Sequence, residues 1–258
     1  MRAKITPLIL TFDEAPNIER TLARLGWAKD IVVVDSASTD GTREILARFP
    51  SVRVFEHKFT THADKWNFGL KQTGIRSAWV LALDADYVLS DDLVEELGRL
   101  DPDTSVAGFQ ARFKYCVHGT PLRGGAYPPV TVLYRLSNAC YVQDGHTQRL
   151  LTVGKIGRLK SPIFHDDRKP LARWFDSQVR NMRLEADKLL SVAFWDLGLA
   201  DRLRRMIVVA PLAMLFFCLV VRGNILDGWP GIFYALQRTT AEAMLSLFLL
   251  QRKLDRRG

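Results

Sequence analysis

Two carboxylates one residue apart, Asp84 and Asp86, close the apolar run Trp79-Val80-Leu81-Ala82-Leu83. Where a buried strand surfaces into a loop, such a pair can hold a hard divalent cation. Mg²⁺ is usually bound by one or two carboxylates together with substrate phosphates and waters. The spacing therefore suggests a nucleotide diphosphate as the ligand rather than a closed structural metal cage. Asp is also common in turns, so the tripeptide alone reads equally well as a solvated strand end.

The elements that must position this pair are legible upstream. Residues 5–10 and 31–34 are short apolar, β-branched runs, each followed by a polar turn and a helical pattern, over 15–25 and 41–48. That alternation is the signature of βαβ units in a parallel sheet. Residues 52–55 read as a third strand, 64–74 as a helix, 79–83 as a fourth strand and 91–100 as another helix. The fourth strand is apolar throughout, as a strand covered on both faces should be. Ligands of open α/β sheets collect at the carboxyl ends of the strands, and the acidic turns opening at Asp35 and Asp84 both lie there. From 106 to 149 the pattern shortens into strands broken by Gly and Pro, and the Gly-rich stretch 119–129 is expected to be a mobile loop over a site. Residues 172–190 are helical in spacing.

The chain has 258 residues, of which 48% are apolar, enough for a full core and too many for a disordered chain. Its charge is uneven. Residues 1–148 carry 17 Lys and Arg against 18 Asp and Glu, whereas residues 149–258 carry 19 against 10. A basic second half suggests nucleic acid or an anionic membrane face, and the apolar, aromatic runs between these charges favour the membrane. Cys116, Cys140 and Cys218 are odd in number and form no CxxC pair, so neither a disulfide framework nor a zinc site is implied. The first residues have too short an apolar stretch for a signal peptide, which gives a cytoplasmic location as the expectation.

The last sixty residues differ in kind. Arg202-Leu203-Arg204-Arg205 precedes sixteen uncharged residues, 206–221, closed by Arg222. A membrane span needs about 20 such residues, and Pro211 would kink this run. A second apolar helix is expected over 232–250. Two short apolar helices with arginine-rich ends suggest a hairpin lying in one leaflet with its basic ends at anionic headgroups. The competing reading is a buried helical pair packed on the sheet.

Three segments in series now carry a resemblance: Thr11-Phe12-Asp13-Glu14-Ala15-Pro16-Asn17-Ile18, then Val32-Val33-Val34-Asp35-Ser36-Ala37-Ser38-Thr39-Asp40-Gly41-Thr42, then Leu83-Asp84-Ala85-Asp86. In order and spacing they resemble the nucleotide-sugar-binding half of family 2 glycosyltransferases with the GT-A fold. Ala63-Asp64-Lys65-Trp66-Asn67-Phe68-Gly69-Leu70 and Leu226-Asp227-Gly228-Trp229-Pro230-Gly231 look like the subgroup of lipopolysaccharide core β-1,4-glucosyltransferases. The resemblance implies an α/β, Rossmann-like GT-A fold over 1–195, followed by a mainly helical, membrane-associated region over 196–258.

By that resemblance Thr11, Asp13 and Glu14 line the pocket for base and ribose, and Asp35 accepts a hydrogen bond from uracil or ribose. A carboxylate is an acceptor only, which suits an imide N–H or a hydroxyl. Ser36, Ser38 and Asp40 are read as caps of the helix beginning near Gly41. Lys65 either approaches the diphosphate or is simply solvated, and Asp84 and Ala85 meet the nucleotide sugar. Asp86 is the implied direct ligand of Mg²⁺ or Mn²⁺, with Asp84 acting on the ribose or through water, and His165 looks like the late histidine that completes the site. An imidazole ligand tilts preference toward Mn²⁺; the alternative for His165 is a loop histidine among solvated charges. Arg168 and Lys169 either contact the diphosphate or form a solvated face. Asp144 stands where the general base is expected, unless Gln148 occupies that register and Asp144 is only its neighbour.

The implied activity is inverting, metal-dependent transfer of a sugar from a nucleotide diphosphate, most simply a UDP-sugar, to a lipid-linked glycan acceptor at the cytoplasmic face of the inner membrane. The alternatives are a polyprenyl-phosphate sugar synthase and a non-catalytic nucleotide-sugar-binding membrane protein. No nucleic-acid partner is implied, and the sequence is silent on oligomeric state.

Overall fold

The four apolar runs of the first half form strands β1 (Ile5–Thr11), β2 (Ile31–Asp35), β3 (Val52–Glu56) and β4 (Trp79–Asp84), all parallel to one another. The computed structural model describes residues 4–58, 60–101, 103–145 and 147–255. Helices α1 (Ile18–Ala23), α2 (Thr42–Leu46) and α3 (His62–Gln72) connect the four strands. Every residue of β1 and β2 is buried, so the alternation of Cβ atoms across a strand sorts one strand's side chains into two cores. Ile5, Ile9, Val33, Leu81 and Leu83 meet Ile18, Leu22 and Leu25 on one face. Leu8, Leu10, Val32, Val34, Val80 and Ala82 meet Trp66, Leu70, Tyr134 and Tyr141 on the other. Each Val, Leu or Ile side chain among them contributes about 1.5–3 kcal/mol on burial.

Close packing of α3 on β1 requires Gly69, where a Cβ would stand 2.8 Å from Leu8 Cδ1. Thr61 caps α3 by accepting from the Asp64 N–H at 3.1 Å, which satisfies one of the four N–H groups a helix start leaves open.

Past β4 the chain does not go straight into a helix. Strand β5 (Tyr87–Leu89) comes first, then α4 (Asp91–Arg99), β6 (Val106–Ala111), β7 (Phe113–Val117) and the two-residue β8 (Thr120–Pro121). After β9 (Val130–Arg135) come β10 (Cys140–Asp144), β11 (Thr147–Leu151), β12 (Lys155–Arg158) and β13 (Ile163–His165). The main sheet has seven strands in the order β12-β6-β9-β4-β1-β2-β3, with β9 inserted antiparallel between β4 and β6. Outside it, β13 pairs parallel with β7 and antiparallel with β5. That small second sheet aligns His165 with Tyr87.

The chain divides into two units: 1–116 with 127–143 and 147–168, and 117–126 with 144–146 and 169–258. The second unit is mainly helical and starts ahead of residue 196. It contains α5 (Leu171–Ser191), α6 (Leu199–Arg205), α7 (Val209–Phe216) and α8 (Trp229–Asp255). Met182, Ala186, Leu189, Ala241, Leu245 and Leu249 form its core.

The apolar run 206–221 is not one helix. Ile207 takes a left-handed φ of 61°, strained for a β-branched residue, and Ser246 holds its carbonyl with a 2.6 Å hydrogen bond. The break separates α6 from α7, and Pro211 then falls in the first turn of α7, where proline is tolerated. Among the described residues no helix is long and apolar enough to cross a membrane. Leu199, Val208, Leu212, Phe216, Leu226 and Trp229 are nevertheless exposed.

In the same unit the Gly-rich stretch is fastened rather than open. Arg123 N–H donates to Asp227 at 2.9 Å, Ala126 N–H donates to the Tyr234 hydroxyl at 2.9 Å, and Gly124 lies so close to Arg222 that a Cβ would stand 2.9 Å from its carbonyl oxygen.

Candidate active site

The loops that leave β1 and β2 are laced together by their own polar side chains. Asp35 is fully buried, and its oxygens accept from Thr11 Oγ1 at 2.7 Å, Ser38 Oγ at 2.5 Å and Ser38 N at 2.9 Å. Ser38 Oγ in turn accepts from Asp13 N at 2.7 Å, and Asp13 Oδ1 accepts from Thr39 N at 2.7 Å. Glu14 N–H donates to Thr42 Oγ1 at 2.7 Å, and Asp40 takes Ala15 N and Thr42 N, both at 3.1 Å. Asp13 sits at φ 50° and Ala37 at φ 58°, conformations that persist only where surrounding bonds over-determine them.

Ser36 and Ser38 therefore do not cap α2 as the sequence suggested, whereas Asp40 accepts from the N–H of Thr42, the first residue of that helix. Its N-cap is Gly41, at φ 92° with no side-chain cap bond, and the serines tie the β2 exit to neighbouring backbone and to Asp35. Asp35 is fully buried, so a ligand's N–H or O–H would reach it only if neighbouring side chains moved aside.

Beneath these loops lies Lys65, 3% exposed, whose ammonium donates to the Thr11 carbonyl at 2.5 Å. It is not the solvated lysine of the simpler reading. Burial lowers its pKa to about 8 against the opposing pull of the Asp35, Asp84 and Glu14 carboxylates.

At the β4 exit the two aspartates have different surroundings. Tyr87, buried and with its phenol pushed well above its ordinary pKa by that burial and by the Asp84 charge, hydrogen-bonds to Asp84. Asp86 Oδ2 lies 3.1 Å from His165 Nε2. Burial lowers the His165 pKa, but the carboxylates of Asp86, Asp84 and Asp167 outweigh it and the net shift is upward. Tyr87, Tyr115 and Tyr127 surround the imidazole, with ring centroids at 5.1, 4.4 and 5.7 Å. His165 Nδ1 is buried with no hydrogen-bond partner among the described residues.

A divalent cation here would have to replace the hydrogen bond that joins Asp86 Oδ2 and His165 Nε2 at 3.1 Å, a separation close to the roughly 3.0 Å between adjacent ligand atoms of an octahedron with bonds of about 2.1 Å. Among the described residues no group of three or more His, Cys, Asp or Glu side chains is placed to hold a metal ion. An ion held here would take its remaining ligands from phosphate oxygens and water.

Sequence reasoning passed over the residue that binds these parts together. Asn17 is fully buried and donates to Glu14 at 2.8 Å and to Asp167 at 2.8 Å, while accepting from Arg168 N and Arg20 at 2.8 Å each. Asp166 accepts from Arg20 at 2.5 Å and from Arg168 at 2.8 Å, and its N–H donates to the Asp86 carbonyl at 3.1 Å. Arg168 is thus paired within the protein. The only signal for Asn17 was a polar residue before an amphipathic helix, which reads as an ordinary cap.

Asp144 belongs to the second unit, where its carboxylate is ion-paired with Lys188 at 2.8 Å. Its neighbour His146 lies outside the described residues. Gln148 and Asp84 line a common cavity in the first unit.

Four parallel strands, of which β1 and β2 end in acidic loops laced to each other, define an α/β protein of the GT-A type. The model of glycosyl transferase family 2 matches residues 8–140, and the chain belongs to that family. A protein of Rickettsia bellii (strain RML369-C) described as an uncharacterized glycosyltransferase is 34% identical over 95 residues, which is 36% of this chain and 31% of that protein. The match thus spans about a third of the relative's length. The crystal structure of S. aureus TarS 1-349 in complex with UDP-GlcNAc is similar in fold, with a TM-score of 0.51 at 14% identity, covering 96% of this chain and 92% of that one.

Proposed function

We propose that this family 2 glycosyltransferase is an inverting, metal-dependent hexosyltransferase that uses a UDP-sugar. Its acceptor would be a lipid-linked envelope glycan, such as a lipopolysaccharide core, at the cytoplasmic face of the inner membrane. The observation that carries the reading is the cluster at the β4 exit: Asp86 3.1 Å from His165, beside an Asp84 that Tyr87 orients. Asp86 and His165 would hold Mg²⁺ or Mn²⁺, with Asp84 nearby. The ion supplies positive charge that stabilises the departing nucleoside diphosphate.

The chain's own residues supply the rest. The laced loops bearing Thr11, Asp13 and Glu14 offer a rigid edge for base and ribose, and Asp35 and Lys65 hold that edge from below. The similarity of fold to a protein crystallised with UDP-GlcNAc supports the donor class. The exposed apolar side chains of the helical unit support an acceptor held at a lipid surface, with the helices lying in its plane.

A polyprenyl-phosphate sugar synthase is the second reading, and one observation favours it. Asp144 is already ion-paired with Lys188, and a phosphate acceptor needs no strong base. Product analysis with polyprenyl phosphate as the sole acceptor separates the two readings.

The donor reading is tested by thermal shift with UDP and a panel of UDP-sugars in Mn²⁺. A ligand that binds only the native state raises apparent stability by mass action. A shift with UDP or a UDP-sugar that disappears in Asp86→Ala supports the reading; no shift with any of them refutes it.

A further inference from the structure

A cavity of ≈ 250 Å³ opens beside Asp84, lined among others by Trp66, Tyr141, Gln148 and Arg149. Pockets that take whole drug-sized ligands measure about 300–1,000 Å³, so this one suits a fragment the size of a single sugar ring rather than a nucleotide.

One of its lining residues carries a buried donor with no acceptor among the described residues. Trp66 is 3% exposed, and its Nε1–H meets no hydrogen-bond partner among the described residues. The large majority of buried side-chain polar atoms in folded proteins are paired, and the indole nitrogen can only donate. The ring is also held in place. It stacks on Tyr141 with centroids 5.4 Å apart and planes 24° from parallel. Asn67, the next residue of α3, fixes Tyr141 in both directions, donating to its carbonyl at 2.8 Å and accepting from its N–H at 2.9 Å. The other aromatic hydroxyls of this wall are committed: Tyr141 donates to Tyr134 at 3.1 Å, and Tyr87 bonds to Asp84.

We infer that Trp66 is a specificity-determining residue, donating its indole N–H to a hydroxyl or carbonyl oxygen on the sugar being transferred. This rests on the UDP-sugar reading. Asp84, an acceptor, lines the same cavity, so a ring that enters finds this acceptor beside the indole donor, with Gln148 and Arg149 on the same lining. Sites built to hydrogen-bond a substrate group discriminate strongly against analogues lacking it, because the buried partner is then left unpaired.

The test is Trp66→Phe, which keeps an aromatic ring against Tyr141 and removes the N–H. UDP binding by calorimetry and kcat/KM for a panel of UDP-hexoses and their deoxy analogues are measured in Mn²⁺. The expected result is a loss of about 10- to 100-fold in kcat/KM for the preferred donor, with UDP affinity within about 2-fold of wild type. One deoxy analogue should lose as much with the unaltered protein and nothing further with the variant. Equal kcat/KM for variant and wild type overturns the inference while leaving the donor reading standing, and so does an equal loss in UDP affinity. If the variant does not fold, the deoxy series on the unaltered protein decides: no single deoxygenation with such a loss overturns it. Failure of the unaltered protein to bind UDP or any UDP-hexose overturns both.

Discussion

His165 Nε2 and Asp86 Oδ2 lie 3.1 Å apart although 79 positions separate them in the chain. The small sheet makes the meeting: antiparallel pairing of β13 with β5 sets His165 across from Tyr87, the residue after Asp86. The Asp166 N–H then closes on the Asp86 carbonyl. An imidazole and a carboxylate are thereby held at hydrogen-bonding distance.

Asp86→Ala should reduce transfer by at least about 100-fold, because it removes a group needed to stabilise charge on the leaving diphosphate. His165→Ala should weaken Mn²⁺-dependent activity in the same direction. Treatment with a chelator should abolish activity in the unaltered protein, and Mn²⁺ or Mg²⁺ should restore it. Initial rates across a metal titration, with circular dichroism as the control for folding, check all three; full activity of Asp86→Ala refutes the assignment.

Lys65 should leave a signature in the pH dependence of stability. Below pH 8 both folded and unfolded chains carry the protonated ammonium, so its burial cost is fully present. Between about 8 and 10.5 the folded chain has released the proton while the unfolded chain retains it, so stability rises with pH across that window. The gain is about 3 kcal/mol. Thermal melts of wild type and Lys65→Met from pH 7.5 to 10.5 should show the wild type gaining on the variant; parallel curves would refute the shifted lysine.

Asp144→Asn separates the two acceptor readings. If Asp144 is the base, transfer to a hydroxyl falls by about 10²- to 10⁴-fold while UDP affinity is unchanged. Loss of the Lys188 pair costs at most about 1 kcal/mol, because both side chains are partly exposed. Transfer at the wild-type rate would remove Asp144 from the chemistry.

The helical unit should bind vesicles containing anionic lipid, and binding should weaken as salt rises. Leu212→Asp and Phe216→Asp, at exposed positions of α7, should each lower vesicle affinity by about 10-fold or more. Co-sedimentation with wild type and both variants provides the measurement; unaltered binding by both variants would exclude α7 as the contact.

The sequence by itself determined the parallel β1–β4 array, the carboxyl-edge position of Asp35 and Asp84, and the family. Strand periodicity, turn residues and motif order are local signals, and they survive whatever the rest of the chain does. It also marked the helical C-terminal part, through its apolar runs and its excess of arginine.

Tertiary structure alone decided the rest. Nothing near Ile207 in the sequence signals a left-handed break; the Ser246 bond from α8 holds it. Arg204, read as part of a headgroup-facing basic run, instead pairs with the buried Glu242 at 3.0 Å. Asp35 and Lys65 became buried struts because their partners come from other loops, and Asn17 became a hub because Asp167 and Arg168 arrive from about 150 residues away. Spacing along a chain reports which side chains share an element's face. Which charges are neutralised, and by whom, depends on segments that only folding brings together.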